Sequence, residues 1–114
     1  MRAVRPASVV VIGTGLIGTS VALALRERDV RVWLSDRDAD AVRLAAEIGA
    51  GQPLPTAGVP GGPADIAVLA VPPAAVAPEL RAAQARALAS CYTDVASVKE
   101  LPLAAARGDR KSVV

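Results

Sequence analysis

Histidine and phenylalanine do not occur in these 114 residues, and cysteine, methionine, tryptophan and tyrosine occur once each. Without histidine, the chain has no side chain whose ordinary pKa lies near neutrality, so a general base of that kind has to come from elsewhere. A single cysteine, Cys91, excludes an internal disulfide and removes one argument for secretion. A lone thiol in an apolar setting is expected to be a small core residue rather than a nucleophile. With so few aromatic side chains, the core has to be filled by Ala, Val and Leu, which dominate the 53% of apolar residues. Charge of one sign is also missing. Thirteen basic and eleven acidic residues leave a formal charge of +2, with no basic block of the kind that binds nucleic acid. No apolar run reaches the roughly 18 residues needed to cross a bilayer. The basic start Met1–Pro6 resembles the opening of a signal peptide, but the apolar run behind it breaks at Gly13. The expectation is a single cytoplasmic domain without a nucleic-acid, membrane or metal partner.

What is present is organised around Val9-Val10-Val11-Ile12-Gly13-Thr14-Gly15-Leu16-Ile17-Gly18. Four β-branched apolar residues in a row predict a strand buried on both faces, as at the centre of a parallel sheet. Gly13, Gly15 and Gly18 follow in G-x-G-x-x-G spacing. The first glycine permits a tight turn, the second lets a pyrophosphate approach the backbone, and the third lets the next helix pack close to the strand. Leu16 and Ile17 fall in the first turn of that helix, whose free N–H groups and positive dipole end favour phosphate. Asp36 stands 18 residues after Gly18, at the end of a second apolar run. There a carboxylate accepts hydrogen bonds from the adenosine ribose hydroxyls, which favours NAD over a 2′-phosphorylated cofactor. Capping the next helix is the structural alternative, and it suits Asp38 better than Asp36. Arg37, directly after the acid, either stacks on adenine or pairs with a 2′-phosphate, which leaves NADP open.

The periodicity predicts a helix over 16–28 with Ile17, Val21, Ala24 and Leu25 at helical spacing, then a strand over 30–34. A helix over 39–48 follows, with Val42, Ala45 and Ala46 on one face and Gly49 ending it. Residues 51–63, rich in Gly and Pro, read as a loop with at most a short edge strand near Leu54. Residues 66–71 read as a second fully apolar strand, closed by Pro72-Pro73. Ligands of open α/β sheets bind at the carboxyl ends of the strands, so Ala70, Val71 and Pro72 are expected beside the middle of the dinucleotide. A helix over 74–89 and a short strand over 91–95 come next. Ser97 and Glu100 then form an S-x-x-E capping box for a helix through Ala106, and 111–114 begins another strand. The order predicts an α/β fold of Rossmann type, a doubly wound parallel sheet with helices on both faces and right-handed crossovers, its last strands incomplete.

Three stretches together resemble the prephenate dehydrogenase family, the NAD(P)-dependent enzymes of tyrosine biosynthesis that include arogenate dehydrogenases. They are Gly13-Thr14-Gly15-Leu16-Ile17-Gly18-Thr19-Ser20, Val68-Leu69-Ala70-Val71-Pro72-Pro73 and, most narrowly, Thr93-Asp94-Val95-Ala96-Ser97-Val98-Lys99. The resemblance spans about residues 9–100. It implies an oxidative decarboxylation in which prephenate loses hydride and carbon dioxide and its ring becomes aromatic. It also implies a catalytic-site role for Ser97 near the substrate hydroxyl, beside its role as a cap, whereas Lys99 reads as a helix-start residue. The family's histidine segment, its helical substrate and dimerisation domain and its substrate-clamping arginine have no counterpart here. The chain is therefore expected to be the cofactor half of a homodimeric enzyme, inactive alone toward prephenate or arogenate and prone to self-association through an uncovered sheet edge. Two rival readings remain at this point. One is the N-terminal domain of another nicotinamide-dependent reductase, of the β-hydroxyacid dehydrogenase or pyrroline-carboxylate reductase kind. The other is a non-catalytic NAD(P)-binding module.

Overall fold

The structure, a computed structural model, describes residues 6–95 of the chain. Five parallel strands form one sheet: β1 (Ser8–Ile12), β2 (Arg31–Ser35), β3 (Gln52–Pro53), β4 (Ala64–Leu69) and β5 (Ala89–Asp94). Three helices connect them: α1 (Leu16–Arg26), α2 (Ala39–Glu47) and α3 (Pro73–Ala85). The strand order is β3-β2-β1-β4-β5. The winding therefore reverses between β1 and β4, which lie side by side with Val9 opposite Ile66 and Ile12 opposite Leu69. This is the α/β arrangement that the alternating pattern predicts, and it sets a crevice at the carboxyl ends of these two strands.

The alternation of side chains along each strand divides the core in two. Val9 and Val11 face Ala22 of α1 and Ala45 of α2, together with Val32, Leu34 and Val68. Val10 and Ile12 face the other way, toward Trp33, Ala67, Leu69 and Ala83 of α3. Helices thus cover both faces, and β1 is buried from Val9 to Ile12, as its unbroken apolar run requires. The packing residues on the helices are small. Alanines at positions 22, 45 and 83 let the helices lie close to a valine-rich sheet, in place of the aromatic side chains that the composition withholds.

Several boundaries differ from the sequence reading. The first helix stops at Arg26 rather than Arg28, because the chain reverses through Asp29 at φ 63° to enter β2. Its buried side carries Gly18 and Ala22, while Ile17 is turned toward the crevice and is 47% exposed. The third helix stops at Ala85 rather than Ala89: Ala87 takes φ 52°, Leu88 is buried, and Ala89 pairs with Ala64 as the first residue of β5. An alanine run carries no stop signal of its own, so sheet pairing decides the boundary. The apolar strand spans 64–69 rather than 66–71, and the edge strand lies at Gln52–Pro53, just before Leu54. Cys91 is not a core residue. It lies exposed on β5.

Candidate functional site

The β1–α1 turn is held from three sides. Gly13 adopts φ 102° and its N–H donates to the Ser35 carbonyl at 2.7 Å, while the Ala70 N–H donates to the Ile12 carbonyl at 2.7 Å. A Cβ on Gly13 would collide with the Ala70 carbonyl, and one on Gly18 would collide with the carbonyl of Gly13. Gly15 differs from both. Nothing lies within 4 Å of where its Cβ would stand, so its open side faces the crevice. Gly15 is also the N-cap of α1 and makes no side-chain cap hydrogen bond, and the first turn carries no acidic residue. The N–H groups of Leu16, Ile17 and Gly18 precede the first intrahelical bond, from Thr19 N to Gly15 O at 2.9 Å. A helix start with no side-chain cap, an open glycine and no acidic residue in its first turn suits a pyrophosphate.

Asp36 lies just beyond β2, in hydrogen-bond contact with this turn. Its Oδ2 accepts from the Thr14 N–H at 2.6 Å and from the Thr14 hydroxyl at 3.0 Å, and its Oδ1 accepts from the Asp38 N–H at 2.9 Å. Thr14 is buried, and its carbonyl accepts from the Thr19 hydroxyl at 3.0 Å. Partial burial raises the Asp36 pKa, but donors from Asp38, Thr14 and Arg37 outweigh it and hold the carboxyl below its ordinary value. Asp36 is thus a fixed, ionised acceptor at the mouth of the crevice. Asp38 is the helix cap. Its side chain accepts from the N–H groups of Asp40 at 3.0 Å and Ala41 at 3.4 Å.

Two adjoining cavities make up the crevice. One, of about 530 Å³, is bordered by Gly13, Asp36, Arg37 and Glu79; the other, of about 810 Å³, by Leu16, Ile17, Val76 and Asp94. Gly15, Ala70, Val71 and Pro72 border both, so they stand at the middle of the crevice, as their place at the end of β4 requires. The first cavity is the more polar, suited to a ribose and its phosphates, and the second is largely apolar, suited to a flat ring. Nine of the ten residues expected to bind a cofactor, from Gly13 to Pro72, border this crevice, whereas Gly18 is buried behind the turn against Gly13. Ser97, with Lys99 and the capping box, lies outside the described residues. Three contributors escaped the sequence reading. Thr14 occupies a variable slot of the glycine motif, and its hydroxyl is the one signal that points to it. Val76 reads as an ordinary core position of α3. Glu79, also on α3, receives the Arg37 Nε–H at 3.2 Å across the crevice.

Residues 21–112 match the family model for the nucleotide-binding domain of prephenate dehydrogenase. The chain is also 49% identical over 90 residues to a probable prephenate dehydrogenase, NovF, of Streptomyces niveus. That match covers 79% of this chain and 24% of the relative, so the chain spans about a quarter of the relative's length. No solved structure matches it.

Proposed function

The chain belongs to the prephenate dehydrogenase family, as its nucleotide-binding domain, and from that premise we propose that it binds NAD in the crevice and serves the oxidative decarboxylation of prephenate or arogenate in tyrosine biosynthesis. The observation that carries the proposal is the junction of Asp36 with the glycine turn. An ionised carboxylate at the end of β2, tied to Thr14 beside an uncapped helix start, is what an adenosine ribose and a pyrophosphate together require.

Each part of the crevice has a role in this reading. Gly13 and Gly18 keep the turn tight, Gly15 leaves room for the pyrophosphate, and the N–H groups of Leu16 and Ile17 hold it. Asp36 accepts from the ribose hydroxyls, and Arg37 lies over the adenine. Ala70, Val71 and Pro72 support the middle of the cofactor through backbone and small side chains. Bound NAD supplies the acceptor for the hydride. Ser97 is assigned to the substrate hydroxyl by resemblance to the family. The base that takes the hydroxyl proton is not an imidazole of these 114 residues, which contain none. We therefore assign to this chain the cofactor half of the reaction. The base, the substrate clamp and the contacts of a homodimer come from further polypeptide, and the setting is the cytoplasm.

Calorimetric titration with NAD and NADP tests the assignment. NAD is expected to bind the more tightly, and Asp36→Ala to weaken it by roughly tenfold or more, the effect of losing hydrogen bonds to a charged acceptor. A demonstrably folded chain that binds neither nucleotide would overturn the reading.

A further inference from the structure

The Asp36 side of the crevice is bordered by three charged residues: Asp36, Arg37 and Glu79. Arg37 follows the ribose-binding acid directly, which is where a 2′-phosphate would seek a cation. Its guanidinium carries five donors and would ordinarily offer a phosphate a bidentate fork. Here one of those donors is already engaged. The Nε–H donates to Oε2 of Glu79 at 3.2 Å, across 42 residues of sequence, from the end of β2 to the second turn of α3. The two partners are not equally solvated. The side chain of Arg37 is 84% exposed, whereas that of Glu79 is 22% exposed. The better-shielded partner is the carboxylate. Among the described residues, this half of the crevice presents two carboxylates against one guanidinium.

We propose that Glu79 is a specificity-determining residue, which selects for NAD by holding Arg37 and withholding its guanidinium from a 2′-phosphate. The inference rests on the reading of the crevice as a nicotinamide dinucleotide site. NAD has no group that needs the cation, and the flat guanidinium stays available to the adenine face. A 2′-phosphate would have to displace Glu79 from Arg37 and lie between two like charges.

The test is calorimetric titration of the parent chain and of Glu79→Gln with NAD and NADP, with circular dichroism to verify the fold. Gln keeps the length of the side chain and removes its charge. Glu79→Gln is expected to raise the NADP-to-NAD affinity ratio roughly fivefold, as releasing a partly exposed ion pair allows. Adding Arg37→Gln is expected to shrink that gain, because the released cation is then gone. An unchanged NADP-to-NAD ratio in Glu79→Gln, with NAD still bound, overturns the role of Glu79 and leaves the cofactor assignment standing. A gain undiminished in the double variant overturns the route through Arg37. If the folded parent binds neither nucleotide, the cofactor reading falls and this inference falls with it.

Discussion

A carboxylate that receives several N–H and O–H donors is stabilised in its charged form, and Asp36 is such a group. Partial burial opposes the charge, and the donors of Asp38, Thr14 and Arg37 prevail. The consequence for stability has a definite sign. Because the folded pKa lies below the unfolded one, the contribution of Asp36 is fully present above the unfolded value and is lost as pH falls through the folded value. Urea midpoints measured from neutral pH down through the carboxylate range are expected to fall less steeply for Asp36→Asn than for the parent. Parallel curves would show that the Thr14 contacts add nothing to stability. The position of Asp36 was readable in the chain, since a fixed distance separates it from the glycine motif. Its hold on Thr14 was not, because that contact exists only once β1 and β2 lie side by side and bring residues 22 apart within 2.6 Å. Glu79 was hidden for the same reason, at a separation of 42 residues.

Elements show the same division. Asp38 is a local feature, since an aspartate before an apolar-periodic stretch caps the helix through its own nearest N–H groups. Asp38→Ala is expected to lower the unfolding free energy by about 1 kcal/mol in urea denaturation, with NAD binding reduced far less than by loss of Asp36. A loss of nucleotide affinity as large as that of Asp36→Ala would mean that the two aspartates do not have separate roles. Other boundaries lack any local signal. The alanines through Ala89 are good helix formers, and α3 even includes Pro78, yet the chain leaves the helix after Ala85. Pairing of Ala64 with Ala89 and burial of Leu88 outweigh helix propensity there. Cys91 is exposed on β5, which ends the sheet order among the described residues, and no composition argument marks that place.

For the molecule as a whole, the five-strand order brings the carboxyl ends of β1, β2 and β4 to one end of the sheet, and the crevice opens there. A further cavity of about 810 Å³, beside Arg31 and Gly51, lies at the opposite end, where, among the described residues, no helix begins. A ligand that binds the folded chain alone stabilises it by mass action. NAD at about a hundred times its dissociation constant is expected to add about 2.7 kcal/mol to the unfolding free energy, visible as a rise in melting temperature. A melting temperature that does not respond to NAD, where calorimetry reports binding, would place that binding on the unfolded chain as well. The sequence by itself determined the class of fold, the glycine turn, the acid just beyond β2 and the helix cap. Each of these rests on the chemistry of a few neighbouring residues or on hydrophobic period. Tertiary structure alone decided where α3 ends, which face of α1 is buried, that Cys91 is exposed, and that Thr14 and Glu79 belong to the site. Those outcomes depend on contacts between segments distant in the chain, which form only when the strands take their order in the sheet.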